Sequence, residues 1–182
     1  MKLGSPYTWQ GSIIVNTGAK LIVESGVEIK FRHGGSPSDH AQIKVKGTLE
    51  VQNATFTSYQ SDQPWDGLYF ENSTSTLDNV TINYAGKLHK SCCYEYTPFA
   101  YGAVYIDGGK LTIKNSFIKN SQTVGVWLKN SNTTLIDNME FSDIQGVDWE
   151  KTAGVYIENS NPTIQNSIFK NNWRPRFIIV NL

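Results

Sequence analysis

The side chains best equipped for chemistry in this 182-residue chain recur in pairs, an aromatic followed two positions later by a charged residue: Tyr69/Glu71, Tyr105/Asp107, Trp127/Lys129 and Tyr156/Glu158. Lys44/Lys46 hold the same place earlier in the chain, and Ile178/Val180 hold it later. An aromatic face packs on the apolar face of a sugar ring, and a charged neighbour can bind hydroxyls, a uronic carboxylate or calcium. The pairs therefore mark a candidate ligand-binding face for a polysaccharide or cell-surface glycan, with calcium the one cofactor the carboxylates leave open. A purely structural reading competes with it. Aromatic pairs across strands stabilise a sheet, and the charged residues would then form a solubilising ladder. No catalytic residue follows from these residue types alone.

The pairs sit inside a repeat. GVYIENSNPTIQNSIFKNN (154–172) overlays on GLYFENSTSTLDNVTI (67–82), GAVYIDGGKLTIKNSFI (102–118) and GVWLKNSNTTLIDNMEF (125–141). IKVKGTLEVQNATF (43–56) matches its second half, GSIIVNTGAKLIVESGVEI (11–29) fits more loosely, and RFIIVNL begins one more unit. Self-similarity at roughly 20 to 30 residues marks a solenoid or array. Apolar residues alternate with polar ones inside each unit, as in Val155/Ile157 and Ser167/Phe169, which is strand periodicity. Each unit is thus three short strands joined by turns. Val51, Leu77, Ile113, Ile136 and Ile164 share one slot, and Phe56, Ile82, Ile118, Phe141 and Phe169 share another. Stacked at about 4.8 Å per step, such slots form continuous apolar columns.

Asn53, Asn79, Asn115, Asn138 and Asn166 fall at the bend between second and third strands. Asn tolerates left-handed backbone angles, and stacked amides can hydrogen-bond along the column. Asn53, Asn72 and Asn79 also open N-x-Thr strings, but ladder residues facing the stack would be poor glycan acceptors. Thr76, Thr112 and Thr163 share an outward slot on the second strand, a pattern that ice binding would need, interrupted by Glu50 and Leu135.

The connections between third and first strands border the candidate face and are rich in aromatics: Tyr59 and Trp65; Tyr94, Tyr96, Phe99 and Tyr101; and Trp149 between Asp148 and Glu150. They would wall a groove or fold down over the sheet edges. His33, Asp39 and His40 are one metal-capable set and His89, Cys92 and Cys93 another; neither has a defined ligand count, so no metal site is assigned. The adjacent cysteines cannot staple distant segments. Lys and Arg number 16 against 16 Asp and Glu, which gives no general pull toward nucleic acid. No apolar run is long enough to span a bilayer. Tyr7 and Trp9 are expected to cap one end of the core, while the apolar outward residues Ile178 and Val180 are expected to be covered at the other, by further coils or another chain.

On these repeats the chain resembles the right-handed parallel β-helix superfamily of pectate lyases, polygalacturonases and bacterial surface proteins, over about Gly11 to Asn181. The resemblance implies an all-β, right-handed parallel β-helix of about six three-strand coils plus a partial seventh. It also implies one domain, 1–182, read as a fragment or mature segment of an extracellular or cell-surface protein whose leader is not in this chain. Enzymes of the superfamily place catalytic groups on the outward first-strand face. By that analogy Lys129 would be a base for lyase chemistry and Glu71/Asp107 a carboxylate pair for hydrolysis. The polygalacturonase signatures Asn-Thr-Asp, Gly-His-Gly and Arg-Ile-Lys are absent, and Arg174-Pro175-Arg176 does not match the pectate-lyase Arg-x-Pro-x-x-Arg. Carbohydrate recognition without cleavage is therefore the expected role, with a lyase or glycosidase, and a ligand-free stalk segment, as the alternatives.

Overall fold

A computed structural model describes residues 5–33, 40–87, 102–145, 153–173 and 177–180. Its strands in chain order are β1 (Tyr7–Gln10), β2 (Ile13–Val15), β3 (Lys20–Val23), β4 (Glu28–Arg32), β5 (Gln42–Val45), β6 (Thr48–Ser58), β7 (Gly67–Asn83), β8 (Gly102–Lys114), β9 (Phe117–Lys119), β10 (Val124–Lys129), β11 (Leu135–Asp137), β12 (Glu140–Ser142), β13 (Val155–Glu158), β14 (Thr163–Gln165), β15 (Ile168–Lys170) and β16 (Phe177–Val180). Every pairing among them is parallel and joins one turn of the chain to the next.

Three columns of strands result. The first stacks β2, β5, the starts of β7 and β8, then β10, β13 and β16. The second stacks β3, the start of β6, the middle of β7, the end of β8, then β11 and β14. The third stacks β1, β4, the ends of β6 and β7, then β9, β12 and β15. This is a parallel β-helix. Tyr7–Gln10 belongs to the third column, where Trp9 pairs with Phe31 and stands at the open end of the core, 45% exposed.

Left-handed residues turn the chain at all three corners. Between second and third columns they are Gly26, Asn53, Asn79, Asn115, Asn138 and Asn166, the expected series. Asn72, Gly108, Asn130 and Asn159 make a second series between first and second columns, and Gly11, Tyr84, Asn120, Asp143 and Asn171 a third after the third column. One left-handed residue in β6 and at each corner of β7, and two in succession (Gly108 and Gly109) in β8, bend the backbone without ending the strand, so all three run through corners as continuous strands. The amide ladder alternates its acceptor: Asn79 donates to Asn53 at 2.6 Å and Asn138 to Asn115 at 2.9 Å, whereas Asn115 donates to Asp78 at 2.8 Å and Asn166 to Asp137 at 2.9 Å. Gly109 is required for space as well as angle, since a Cβ there would lie 2.2 Å from the Ser73 carbonyl oxygen.

Serines behind the corners close the remaining backbone accounts. Ser116, Ser160 and Ser167 each donate to the carbonyl two residues back, at 2.6 to 2.8 Å. Each hydroxyl also accepts a backbone N–H from the adjoining turn, from Val80, Ser131 and Met139 respectively. Among the described residues no buried side-chain N or O lacks a hydrogen-bond partner.

The inward slots form one core. Phe31, Phe56, Phe70, Phe141, Leu77, Ile82 and Ile113 are fully buried in it. At its far end the inward residues Phe177 and Ile179 are 40% and 55% exposed, because no described strand stacks beyond β16. The outward residues Ile178 and Val180 are instead partly buried against the neighbouring outward column.

The outward face of the first column

The strand register brings the sequence-predicted residues together as one face. Lys44, Tyr69, Tyr105, Trp127, Tyr156 and Ile178 follow one another directly along the helix axis. Glu71, Asp107, Lys129, Glu158 and Val180 run beside them. The periodicity fixes both lines, because alternate side chains leave a strand on opposite faces and parallel stacking keeps equivalent slots in register.

Burial corrects the expectation that this is a row of exposed rings. Trp127 is 3% and Tyr156 6% exposed. With Val124, and with Tyr105, Ile178 and Val180 packed on them, they form a second apolar cluster outside the sheet. Only Tyr69 and Tyr105 remain half-buried. Ring orientation corrects it further. Tyr69 and Tyr105 stack at 5.1 Å and 24°, Tyr105 meets Trp127 edge-on at 5.9 Å, and Trp127 tilts onto Tyr156 at 4.4 Å. The Lys44 ammonium lies 4.9 Å from the Tyr69 ring centroid on the other side. The rings thus pack on one another, as an aromatic ladder does.

The charged line is equally engaged. Lys44 and Lys46 converge on Glu71 Oε2 at 3.1 and 3.8 Å. Lys129 pairs with Glu158 Oε1 at 3.7 Å, while the Trp127 indole N–H donates to Glu158 Oε2 at 3.3 Å. The Asn130 amide donates to Asp107 Oδ1 at 3.0 Å, a partner that the sequence pattern did not single out. Lys129 is thus tied to Glu158, away from the role of a free base. Partial burial, then Glu71 and Asp107, raise the Tyr69 hydroxyl above its ordinary 10.0, so it stays protonated as a donor.

Other candidates resolve differently. Asp39, His89, Cys92, Cys93, Tyr94, Tyr96, Phe99, Tyr101, Asp148, Trp149, Glu150, Arg174, Pro175, Arg176 and Asn181 lie outside the described residues. His33 Nε2 donates to the Pro64 carbonyl at 2.9 Å, whereas His40 Nδ1 lies 3.3 Å from Asp66 Oδ2. Asp66 is buried and also accepts the Ala41 N–H at 2.7 Å, so its carboxylate anchors the segment entering β5. The sequence reading missed Asp66, which falls in a connection without periodicity. Among the described residues no group of three or more His, Cys, Asp or Glu could hold a metal ion. Trp65 does not wall a groove: it is fully buried, stacks on Phe31 at 4.3 Å and 8°, and donates its indole N–H to the Asn83 carbonyl. Tyr59 is 48% exposed beside the Arg32 guanidinium. The Thr76–Thr112 pair is in register, with Glu50 before it and Leu135 between Thr112 and Thr163.

Strands stacked in three parallel columns around one core define a single-chain β-solenoid module. The chain belongs to the right-handed β-helix family, since the family model described as right handed beta helix region matches residues 39–177. No curated protein and no solved structure matches it. Among the described residues no helix is long and apolar enough to cross a membrane.

Proposed function

We propose that this β-helix is a polysaccharide-binding module of the cell exterior, contacting its ligand along the outward face of the first column. The contact is centred on Tyr69, Glu71, Tyr105 and Asp107, with Trp127, Lys129, Tyr156 and Glu158 as the support beneath and beside it. The observation that carries this reading is the half-buried Tyr69–Tyr105 stack, flanked in register by Glu71 and Asp107. Because the rings pack on one another, recognition runs through hydroxyls and carboxylates, spaced by the roughly 4.8 Å step between strands. Calcium bridging through Glu71 and Asp107 is a variant of the same reading, separated from it by adding a chelator.

A glycan array probed with the purified chain, with calcium and with chelator, tests the proposal. Tyr69→Ala and Tyr105→Ala are expected to weaken binding at least tenfold, about 1.4 kcal/mol, with the β-sheet circular dichroism unchanged. Unaltered affinity in both variants would remove the face from the site. A second reading, a structural segment without ligand, is favoured by the aromatic ladder's self-contained packing. Silence across the whole array is its expected result.

A further inference from the structure

We propose that Asn72 is a site of deamidation, and that serines of the adjoining turn guard its counterparts Asn79, Asn130 and Asn138 against the same reaction. All four asparagines are exposed and left-handed, at φ between 49° and 54°. Asn72 and Asn130 are both followed by serine, so the two dipeptides share one intrinsic chemistry. In deamidation the peptide nitrogen of the following residue bonds to the side-chain Cγ. The Cγ–Nδ2 bond breaks, and the peptide proton leaves with Nδ2 as ammonia. Water then opens the cyclic imide to aspartate or isoaspartate. A corner resists this when both nitrogens are held, since a hydrogen bond must be given up before either can move.

At three corners both are held. The following N–H groups, of Val80, Ser131 and Met139, donate to the hydroxyls of Ser116, Ser160 and Ser167 at 2.9, 2.9 and 3.3 Å. The carboxamides of Asn79, Asn130 and Asn138 donate to Asn53, Asp107 and Asn115 at 2.6, 3.0 and 2.9 Å. At Asn72 the adjoining turn is different. The register that pairs Glu71 with Asp107 and Ser73 with Gly109 sets Gly108 opposite Asn72. Gly109 offers Ser73 no hydroxyl, where Ser160 offers one to Ser131. Among the described residues no group bonds the Asn72 carboxamide, whose Oδ1 leans into the room left by Gly108, 2.3 Å from where a Cβ would stand. Two glycines in succession also give this corner more freedom to open. The product sets a new carboxylate directly after Glu71, or adds a backbone carbon to β7 at its corner.

Incubation of the whole chain in mildly alkaline buffer, with conversion at each asparagine read by peptide mapping and mass spectrometry, tests the assignment. Asn72 is expected to convert about tenfold faster than Asn79, Asn130 or Asn138, the ratio that one net hydrogen bond supports. In denaturing urea Asn72 and Asn130 should converge, because the difference belongs to the fold. Ser160→Ala should raise the Asn130 rate about fivefold and leave that of Asn72 unchanged. Gly108→Asn, at a left-handed position that asparagine accepts, should return a side chain over Asn72 and slow it. Circular dichroism of each variant verifies the sheet. Equal rates at Asn72 and Asn130 in the folded, unmodified chain would overturn the proposal without recourse to any variant. So would a ratio that persists in urea, or an Asn130 rate indifferent to Ser160→Ala in a folded protein.

Discussion

Trp127→Ala separates a ladder rung from a ligand platform. The ring is 3% exposed, lies against Tyr156 at 4.4 Å and Tyr105 at 5.9 Å, and ties its N–H to Glu158. A tryptophan buries about 150–250 Å², worth about 4–6 kcal/mol at about 25 cal/mol per Å². Alanine keeps the Cβ, and a gap on the outer side of a sheet collapses or fills with water more readily than one in the inner core. The expected cost is therefore about 3 kcal/mol, the low end for large-to-small changes at buried aromatics. With an m-value of about 2 kcal/mol/M, the urea midpoint should fall by about 1.5 M. Each turn of a solenoid touches only its neighbours, so the loss should show first as faster amide exchange in β10, β13 and β16, with β5 and β6 unaffected. Glycan affinity per folded molecule should survive, because the proposed contact lies at Tyr69 and Tyr105. An unchanged midpoint together with lost binding would refute this reasoning and return Trp127 to the ligand site.

Two other predictions address the corners and the rungs. At Asn79, φ is 54° and the side chain donates to Asn53 at 2.6 Å. Asn79→Ala should cost about 2 kcal/mol, mostly left-handed strain, while Asn79→Gly should cost less than about 1 kcal/mol; equal thermal melts for the two would deny that backbone angle is what the residue supplies. Acid should loosen the stack through Asp78 and Glu140. The Asn115 amide holds the Asp78 carboxyl below its ordinary 3.8, and the Lys170 ammonium holds Glu140 below 4.5. Depressed folded values mean stability that is present above the unfolded values and lost as pH falls through the folded ones. Asp78→Asn and Glu140→Gln should flatten the urea-midpoint profile below pH 4.5, and a profile of unchanged slope would show that these contacts carry no proton linkage.

What the sequence made legible was the side of the sheet on which each residue falls, and along this chain that is a great deal. The slot shared by Val51, Leu77, Ile113, Ile136 and Ile164, the slot shared by Phe56 through Phe169, and the outward line from Lys44 to Ile178 all appear in the strand register. Alternation encodes a direction, inward or outward, and says nothing of how much water lies beyond. Trp127 and Tyr156 point outward and are nonetheless buried, in an apolar cluster with Val124, Ile178 and Val180. The available signal was the apolar pair Ile178/Val180 at the end of the outward line, which extends the aromatic column and need not imply a missing cap. The corner series at Asn72, Asn130 and Asn159 was legible too, as an Asn directly after each outward charge, but Gly108 stands in that place in β8 and hides the pattern.

Ring orientation lay beyond any pattern of residue types. Cross-strand spacing near 4.8 Å is shorter than an aromatic ring is wide, so rings stacked in consecutive rungs satisfy one another face to face or face to edge before any ligand arrives. A sugar platform needs a ring laid flat to solvent, and a ladder needs one on edge. The same Tyr and Trp residues serve both, and what separates them is the neighbour above and below. Here each outward ring has such a neighbour, Lys44 on Tyr69 at the start of the line and Tyr156 on Trp127 toward its end. On the proposed reading, recognition falls to polar groups beside the stack, the Tyr69 hydroxyl and the carboxylates of Glu71 and Asp107. For that reason Tyr69→Phe, a change that leaves the stack intact, is the sharper probe of function, and Trp127→Ala is the sharper probe of fold.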